Sequence, residues 1–295
     1  KTSPEDVLDH DGLEAVIICS PPRTHAKYSI EALEKGLHVY CEVPMALKLK
    51  DIEKIISAQE QTDKRYQFGE NYAYSAEVLY GAQLSQKKHF QPVVSCETEF
   101  MIDEAHKSWY PEEKPNAKNL PHKLDWFSRF PPLMYGHSVG PNQVAMGGLK
   151  NPEPFIEVYS VGNNNGDRSE KPLFDGQPTH HSALFYTQSG ATSKCTNAYI
   201  LPKRGSILSL KLLGKYGYYN VPKIGKKGRL YSVKKGAHGV KIFKSKRIGW
   251  WRLHKNLKPM IGDRRGANTR VLDDWITAIE RENSKEKDCA LNAKV

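Results

Sequence analysis

Two short apolar runs stand out near the start of the chain. Ala15 to Cys19 is apolar without alternation and stops at Pro21 and Pro22, and a second run over Leu37 to Cys41 ends in Glu42-Val43-Pro44. Continuous runs of this kind predict strands covered on both faces, and the prolines that follow cannot extend a ladder. Between them His25 to Lys35 sets Ala26, Ile30 and Leu33 on one side, the spacing of a helix, with Gly36 just past its end where a left-handed residue is favoured. Asp51 to Lys64 repeats the helical stripe in Ile52, Ile55, Ile56 and Gln59 and leads to a strand over Arg65 to Gly69. Ser3 followed by Pro4, Glu5 and Asp6 reads as a capped helix start upstream, with Val7 and Leu8 as its apolar face.

Strand, helix, strand, helix, strand is most of one half of a doubly wound dinucleotide-binding domain. Ligands of such sheets sit beyond the carboxyl ends of the strands, here Ser20 to His25 and Glu42 to Pro44. No G-x-G-x-x-G turn and no acidic residue at the end of a second strand precede them. The expectation is therefore a chain that begins after the first phosphate-binding turn.

Beyond Tyr74 the pattern changes. A helix over Ser75 to Gln86 leads to Gln91 to Ile102, where Val93, Val94, Cys96, Thr98 and Phe100 include strand-like alternation. Further strands are predicted over Phe155 to Gly162, His181 to Gln188, Ala191 to Leu201, Gly205 to Leu213 and Tyr216 to Val221, in close succession and therefore as antiparallel neighbours. Asp103 to Phe130 is too long for a plain connection. Its Trp109, Tyr110 and Trp126 either stack on a ligand ring or simply pack. An amphipathic helix over Asn268 to Glu282 carries Val271, Leu272, Trp275, Ile276 and Ile279.

The segments Val16 to His25, Ala32 to Pro44, Gly69 to Tyr74 and Pro132 to Pro141 together resemble the glucose-fructose oxidoreductase / inositol dehydrogenase (Gfo/Idh/MocA-type) family. The resemblance implies an α/β chain with a partial Rossmann parallel sheet over 1–74. A substrate and oligomerisation domain of α+β type follows over 75–295, with a large, mostly antiparallel sheet. It also implies a nicotinamide cofactor, NAD with NADP left open, a small-molecule sugar or polyol substrate, and a homo-oligomer. Most members carry Glu-Lys-Pro where this chain has Glu42-Val43-Pro44, and that lysine polarises or deprotonates the substrate hydroxyl. The Glu-Val-Pro subset is similar to NAD-dependent glycosidases, which oxidise a sugar carbon transiently, eliminate the glycosidic oxygen and return the hydride. Glu70 and His137 match polar positions of that subset's site, while Tyr135 stands two residues before His137 where the pattern places a tyrosine three before.

Loss of hydride from an alcohol needs a group within hydrogen-bond reach to take the hydroxyl proton. With Val43 in the lysine's place, His137 and Tyr135 are the candidates, and Glu70 stands ready to orient or share the proton. Ser20, Pro21, Pro22, His25, Glu42, Pro44 and Asn71 are the expected cofactor contacts. Plain structural roles stand beside each reading: a satisfied core group for His137, a helix cap for Glu70, a strand stop for Asn71 and an ordinary turn for the prolines and His25.

Composition adds a charge asymmetry. Lys203 to Lys258 holds 17 Lys and Arg and neither Asp nor Glu, so the remainder of a chain of net +11 carries −6. A basic sheet extension around Gly225 to Arg229 and Lys244 to Arg247, interleaved with Tyr216, Tyr218, Tyr219, Trp250 and Trp251, suits an anionic carbohydrate or is a solvated basic surface. No nucleic-acid motif accompanies it, so nucleic acid is not expected as a partner. Five widely spaced cysteines point to reduced thiols rather than disulfides, and His180-His181 lacks a ligand-spaced partner, so no metal is expected. No apolar run reaches membrane-spanning length and no membrane partner is expected. A cytoplasmic location is the expectation, with periplasmic or secreted placement left open by the start of the chain.

Overall fold

A computed structural model describes residues 3–102, 136–165, 178–201, 206–235, 241–248 and 266–283. The chain divides into two compact units, Lys1–Glu70 with Val271–Val295, and Asn71–Arg270.

In the first unit the predicted alternation forms as a three-stranded parallel sheet, β1 (Ala15–Ile18), β2 (His38–Cys41) and β3 (Tyr66–Phe68), in that order. A short helix α1 (Pro4–Leu8) precedes it, and Ser3 Oγ accepts from the Asp6 amide at 3.1 Å, the cap read from the sequence. Helices α2 (Pro22–Glu34) and α3 (Leu49–Thr62) make the crossovers. Their apolar stripes meet the sheet through Leu33, Ile55 and Ala58 against Ile18, Val39 and Tyr66. Gly36 adopts φ +76°, and the Gly36 and Leu37 amides donate to the Leu33 and Ala32 carbonyls, closing α2 as expected.

Cover on both faces holds for β2, all four of whose residues are buried, but not for β1. Ile17 is 56% exposed, because α2 and α3 come from crossovers of one hand and lie on the same side of the sheet. The other face of β2 is roofed by α6 (Ala267–Asn283), whose Trp275 ring lies 5.8 Å from that of Tyr40. The late helix, read from sequence as part of the second domain, thus gives its residues from Val271 onward to the first unit.

The second unit is built on an eight-stranded sheet ordered β11-β10-β9-β8-β4-β7-β6-β5. Its strands are β4 (Val93–Met101), β5 (Phe155–Asn163), β6 (His180–Thr187), β7 (Thr192–Ala198), β8 (Ile207–Gly214), β9 (Gly217–Val221), β10 (Gly228–Lys235) and β11 (Lys241–Ile248). All neighbours are antiparallel except β4 and β7. The sheet is mostly antiparallel, as expected; the strands of the one parallel pair are far apart in sequence, and a long crossover brings them side by side in the same direction.

Two helices, α4 (Ala76–Ser85) and α5 (Val139–Gly147), lie on the inner face over Leu208, Leu210 and Leu212. They approach closely at Gly81, where an added Cβ meets Ala145 Cβ and Leu210 Cδ2 at 3.4 Å. Beneath α5 a buried polar network replaces apolar packing. Asn142 Nδ2 donates to the Cys96 carbonyl at 3.2 Å and to Thr98 Oγ1 at 3.1 Å, while its Oδ1 accepts from Ser193 Oγ at 2.8 Å. Thr98 Oγ1 in turn donates to the Ser138 carbonyl at 2.7 Å. Asn142→Ala leaves these groups unpaired in the interior, and urea denaturation is expected to show a loss of about 2 kcal/mol.

Candidate active site

The ends of β1 and β2 are tied together by one imidazole. His25, on the first turn of α2, is fully buried, with Nδ1 2.7 Å from the Pro44 carbonyl and Nε2 2.7 Å from the Ser20 carbonyl. Both ring nitrogens are therefore engaged with main chain. The imidazole, expected from sequence beside a cofactor, bridges the Ser20 and Pro44 loops. Pro22 and Pro44 are buried with it, whereas Ser20, Pro21 and Glu42 remain half-exposed at the strand ends. Thr24 Oγ1 stands 2.8 Å from Ser20 Oγ and 2.7 Å from the Pro21 carbonyl, which orders the Pro-Pro turn.

An acidic group gathers at the same strand ends. Tyr40 is nearly buried, and its phenol is pushed well above its usual range by burial and then by the charges of Glu42, Cys19 and Glu70. It stays a neutral hydroxyl. The exposed Cys19 thiol is raised by partial burial and by Glu42. Gly69 packs so tightly that an added Cβ comes within 2.9 Å of the Cys41 carbonyl and the Tyr40 hydroxyl. Glu70 is buried at 3% exposure. Asn71 opens the second unit, where its Nδ2 donates to Asn268 Oδ1 at 2.6 Å while its own Oδ1 is buried and unsatisfied.

In the second unit His137 sits two residues ahead of α5, at the carboxyl end of β4. Gly136 before it turns the chain at φ +75°, a conformation other residues avoid, and accepts at its carbonyl from the Gly140 amide at 2.8 Å. The half-buried imidazole stands edge-on to Tyr72 and Phe100, with centroids 4.8 and 4.7 Å away. The carbonyl of the next residue, Ser138, is the one held by Thr98, so the turn is fixed from beneath. Tyr135, Trp109, Tyr110, Trp126, Trp250 and Trp251 lie outside the described residues.

Several contributors were not singled out from sequence. Thr98 reads only as one member of an alternating strand, and Asn142 is detectable as an amide in the apolar stripe Asn142, Ala145, Met146. Tyr40 looks like a core aromatic until its acidic neighbours are known. Among the described residues no group of three His, Cys, Asp or Glu is placed to hold a metal ion, and no helix is long and apolar enough to cross a membrane. The four described cysteines, Cys19, Cys41, Cys96 and Cys195, are free thiols.

Comparison with known proteins places this geometry. Residues 1–70 match the Gfo/Idh/MocA oxidoreductase family, described by its NAD-binding Rossmann fold. A glycosyl hydrolase family 109 protein of Shewanella baltica is 38% identical over 74 residues, 25% of this chain and 16% of that protein. The chain thus spans about a sixth of that relative over the matched stretch. Among solved structures, an oxidoreductase domain protein from Kribbella flavida superposes with a TM-score of 0.74 at 19% identity, covering 98% of this chain and 76% of that one. A levoglucosan dehydrogenase in complex with NADH gives 0.69 at 16% identity, covering 95% and 74%. At these identities the likeness shows the fold. Residues 1–70 are thus similar to the Gfo/Idh/MocA oxidoreductase family with its NAD-binding Rossmann fold, and the chain as a whole shares the fold of these solved oxidoreductases.

Proposed function

We propose that this chain serves an NAD-dependent oxidoreductase acting on a CH–OH group of a sugar or sugar derivative. The observation that carries the reading is the His25 clamp, which holds the Ser20 and Pro44 loops as one preformed ledge at the strand ends. The groups beside that ledge suit a carboxamide, which both donates and accepts: the Ser20 hydroxyl, the Glu42 carboxylate and the neutral Tyr40 phenol. Ser20, Pro21 and Glu42 are assigned to holding the nicotinamide, with Pro22, Pro44 and His25 behind them. Asn71 stays in the set through its unsatisfied Oδ1. The cofactor, when bound, accepts hydride from a sugar carbon.

His137, held by Gly136 and by the Thr98 bond to Ser138, takes the proton of the substrate hydroxyl, with Tyr135 as the further candidate. Val43 is buried and carries no ionisable group, which leaves that task open for another residue. Glu70 shares or orients the proton. Self-association belongs to the same reading and is supported by exposed apolar side chains on the open face of the large sheet, Tyr159 at 79% and Leu184 at 58%.

A second reading, glycoside cleavage through transient oxidation, elimination and return of hydride, is favoured by the name of the Shewanella baltica relative and by Glu42-Val43-Pro44. Product analysis separates the two. A dehydrogenase accumulates NADH in step with oxidised sugar, whereas the redox-assisted route releases the leaving group with no net NADH and exchanges the neighbouring C–H with deuterated solvent.

Fluorescence titration with NADH is expected to saturate, and His25→Ala to weaken binding by about tenfold or more as the ledge loosens, equivalent to about 1.4 kcal/mol. Absence of any saturable binding overturns the reading. Because the Cys19 thiol is raised, less thiolate is present at pH 8 than in free cysteine, so its alkylation by iodoacetamide should be slow and should slow further with NAD bound. His137→Ala is expected to lower kcat by about a hundredfold or more while cofactor binding is retained. Unchanged turnover removes His137 from the mechanism.

A further inference from the structure

The basic end of the large sheet forms a groove that the redox reading does not use. On its outer face the cross-strand registers place Lys211, Asn220, Arg229 and Arg247 in one row and Leu213, Tyr218, Tyr231 and Ser245 in the next. Arg229 and Arg247 are directly opposed and both exposed, and neither forms a salt bridge among the described residues. Like charges directly opposed across a ladder destabilise it. Among the described residues no carboxylate pairs with them, and Glu97 in the same row is committed to Lys211 at 2.8 Å.

An aromatic platform lies beside this pair. The Tyr218 and Tyr231 rings stack at 25° with centroids 5.8 Å apart, and the Arg229 guanidinium stands 5.9 Å from the Tyr231 centroid. Tyr219, read from sequence as part of the basic surface, instead turns inward against Tyr80 at 5.4 Å, so alternation leaves Tyr218 outside. Tyr231, 38% exposed, borders two surface cavities. One of about 260 Å³ is bounded by Leu213, Tyr216, Tyr218 and Lys244, and one of about 340 Å³ by Asn220, Lys227, Arg229 and Arg247. The first has aromatic walls, the second cationic ones.

We propose that this groove binds an acidic polysaccharide, a chain bearing uronate or sulfate groups, with pyranose C–H faces against Tyr218 and Tyr231 and the anions on Arg229 and Arg247. Guanidinium forks match carboxylate and sulfate oxygens, and such charge-assisted bonds are stronger than neutral ones. The charge pattern favours a glycan over a nucleic acid. A nucleic acid presents phosphate at each step along its backbone, whereas these cations occupy the β9 to β11 edge and give way to Glu97 and Glu99 on β4 of the same sheet. The groove is separate from the His137 cluster: Phe100 beside His137 pairs with Leu208 on the inner face, while the groove opens at Leu213, toward the other end of β8 and on the outer face. The inference goes beyond the redox reading and stands without it.

Calorimetric titration of the full chain without nicotinamide, using polygalacturonate and dextran sulfate as anionic probes and unmodified dextran as the neutral one, tests it. Binding is expected for at least one anionic probe and to weaken with added salt. It should fall about tenfold or more in the double variant R229Q/R247Q, consistent with charge-assisted hydrogen bonds of about 1.5–3 kcal/mol. Y231A should weaken the same probe, with unchanged circular dichroism showing that each variant is folded. Undiminished affinity in folded R229Q/R247Q overturns the proposal. So does equal binding of neutral dextran, tighter binding of a single-stranded oligonucleotide, or no binding of either anionic probe.

Discussion

A backbone carbonyl shut away from water needs a donor, and in this chain that requirement places both groups of candidate residues. The Ser20 and Pro44 carbonyls are met by one imidazole, so two loops from different strands are held at a common spacing by a side chain with no other freedom. The Ser138 carbonyl is met by Thr98, and Thr98 by Asn142, so the residue just before Ser138 inherits its position from a network three side chains deep. In both cases the anchoring group, His25 or Thr98, is itself fully buried. Precision comes from polar atoms that the interior would otherwise penalise, and the exposed residues can therefore be small or neutral.

How much of this was legible depended on how local the cause was. Gly36, Ser3 and the stripe of Ile52, Ile55 and Ile56 act within a turn or two, and the elements they mark formed with ends shifted by one to three residues, the shift expected where caps and fraying compete. The alternation Cys96, Thr98, Phe100 likewise located β4 and its buried face. What could not be read was pairing over distance. Nothing in either strand announces that β4 lies parallel to β7, and Ile17 looks identical whether one face or two are covered.

The candidate site divides in the same way. The loops at the strand ends followed from topology alone, because a parallel crossover exposes its turns at one end. The orientation of His25 did not, since an imidazole beside a strand end reads alike whether it points out to a ligand or back to two carbonyls. Charge was informative for a different reason. A long stretch without carboxylates survives folding as a surface property, and it becomes structural information once the register sets two arginines opposite each other.

The contact between Tyr40 and Trp275 joins β2, near the start of the chain, to a helix near its end. One face of the parallel sheet thus receives its cover from the last described helix, after the whole of the second unit has intervened in sequence. During synthesis the opening strands emerge long before the residue that shields them, so the amino-terminal unit cannot finish folding as the ribosome delivers it and must wait, half clothed, for the other end.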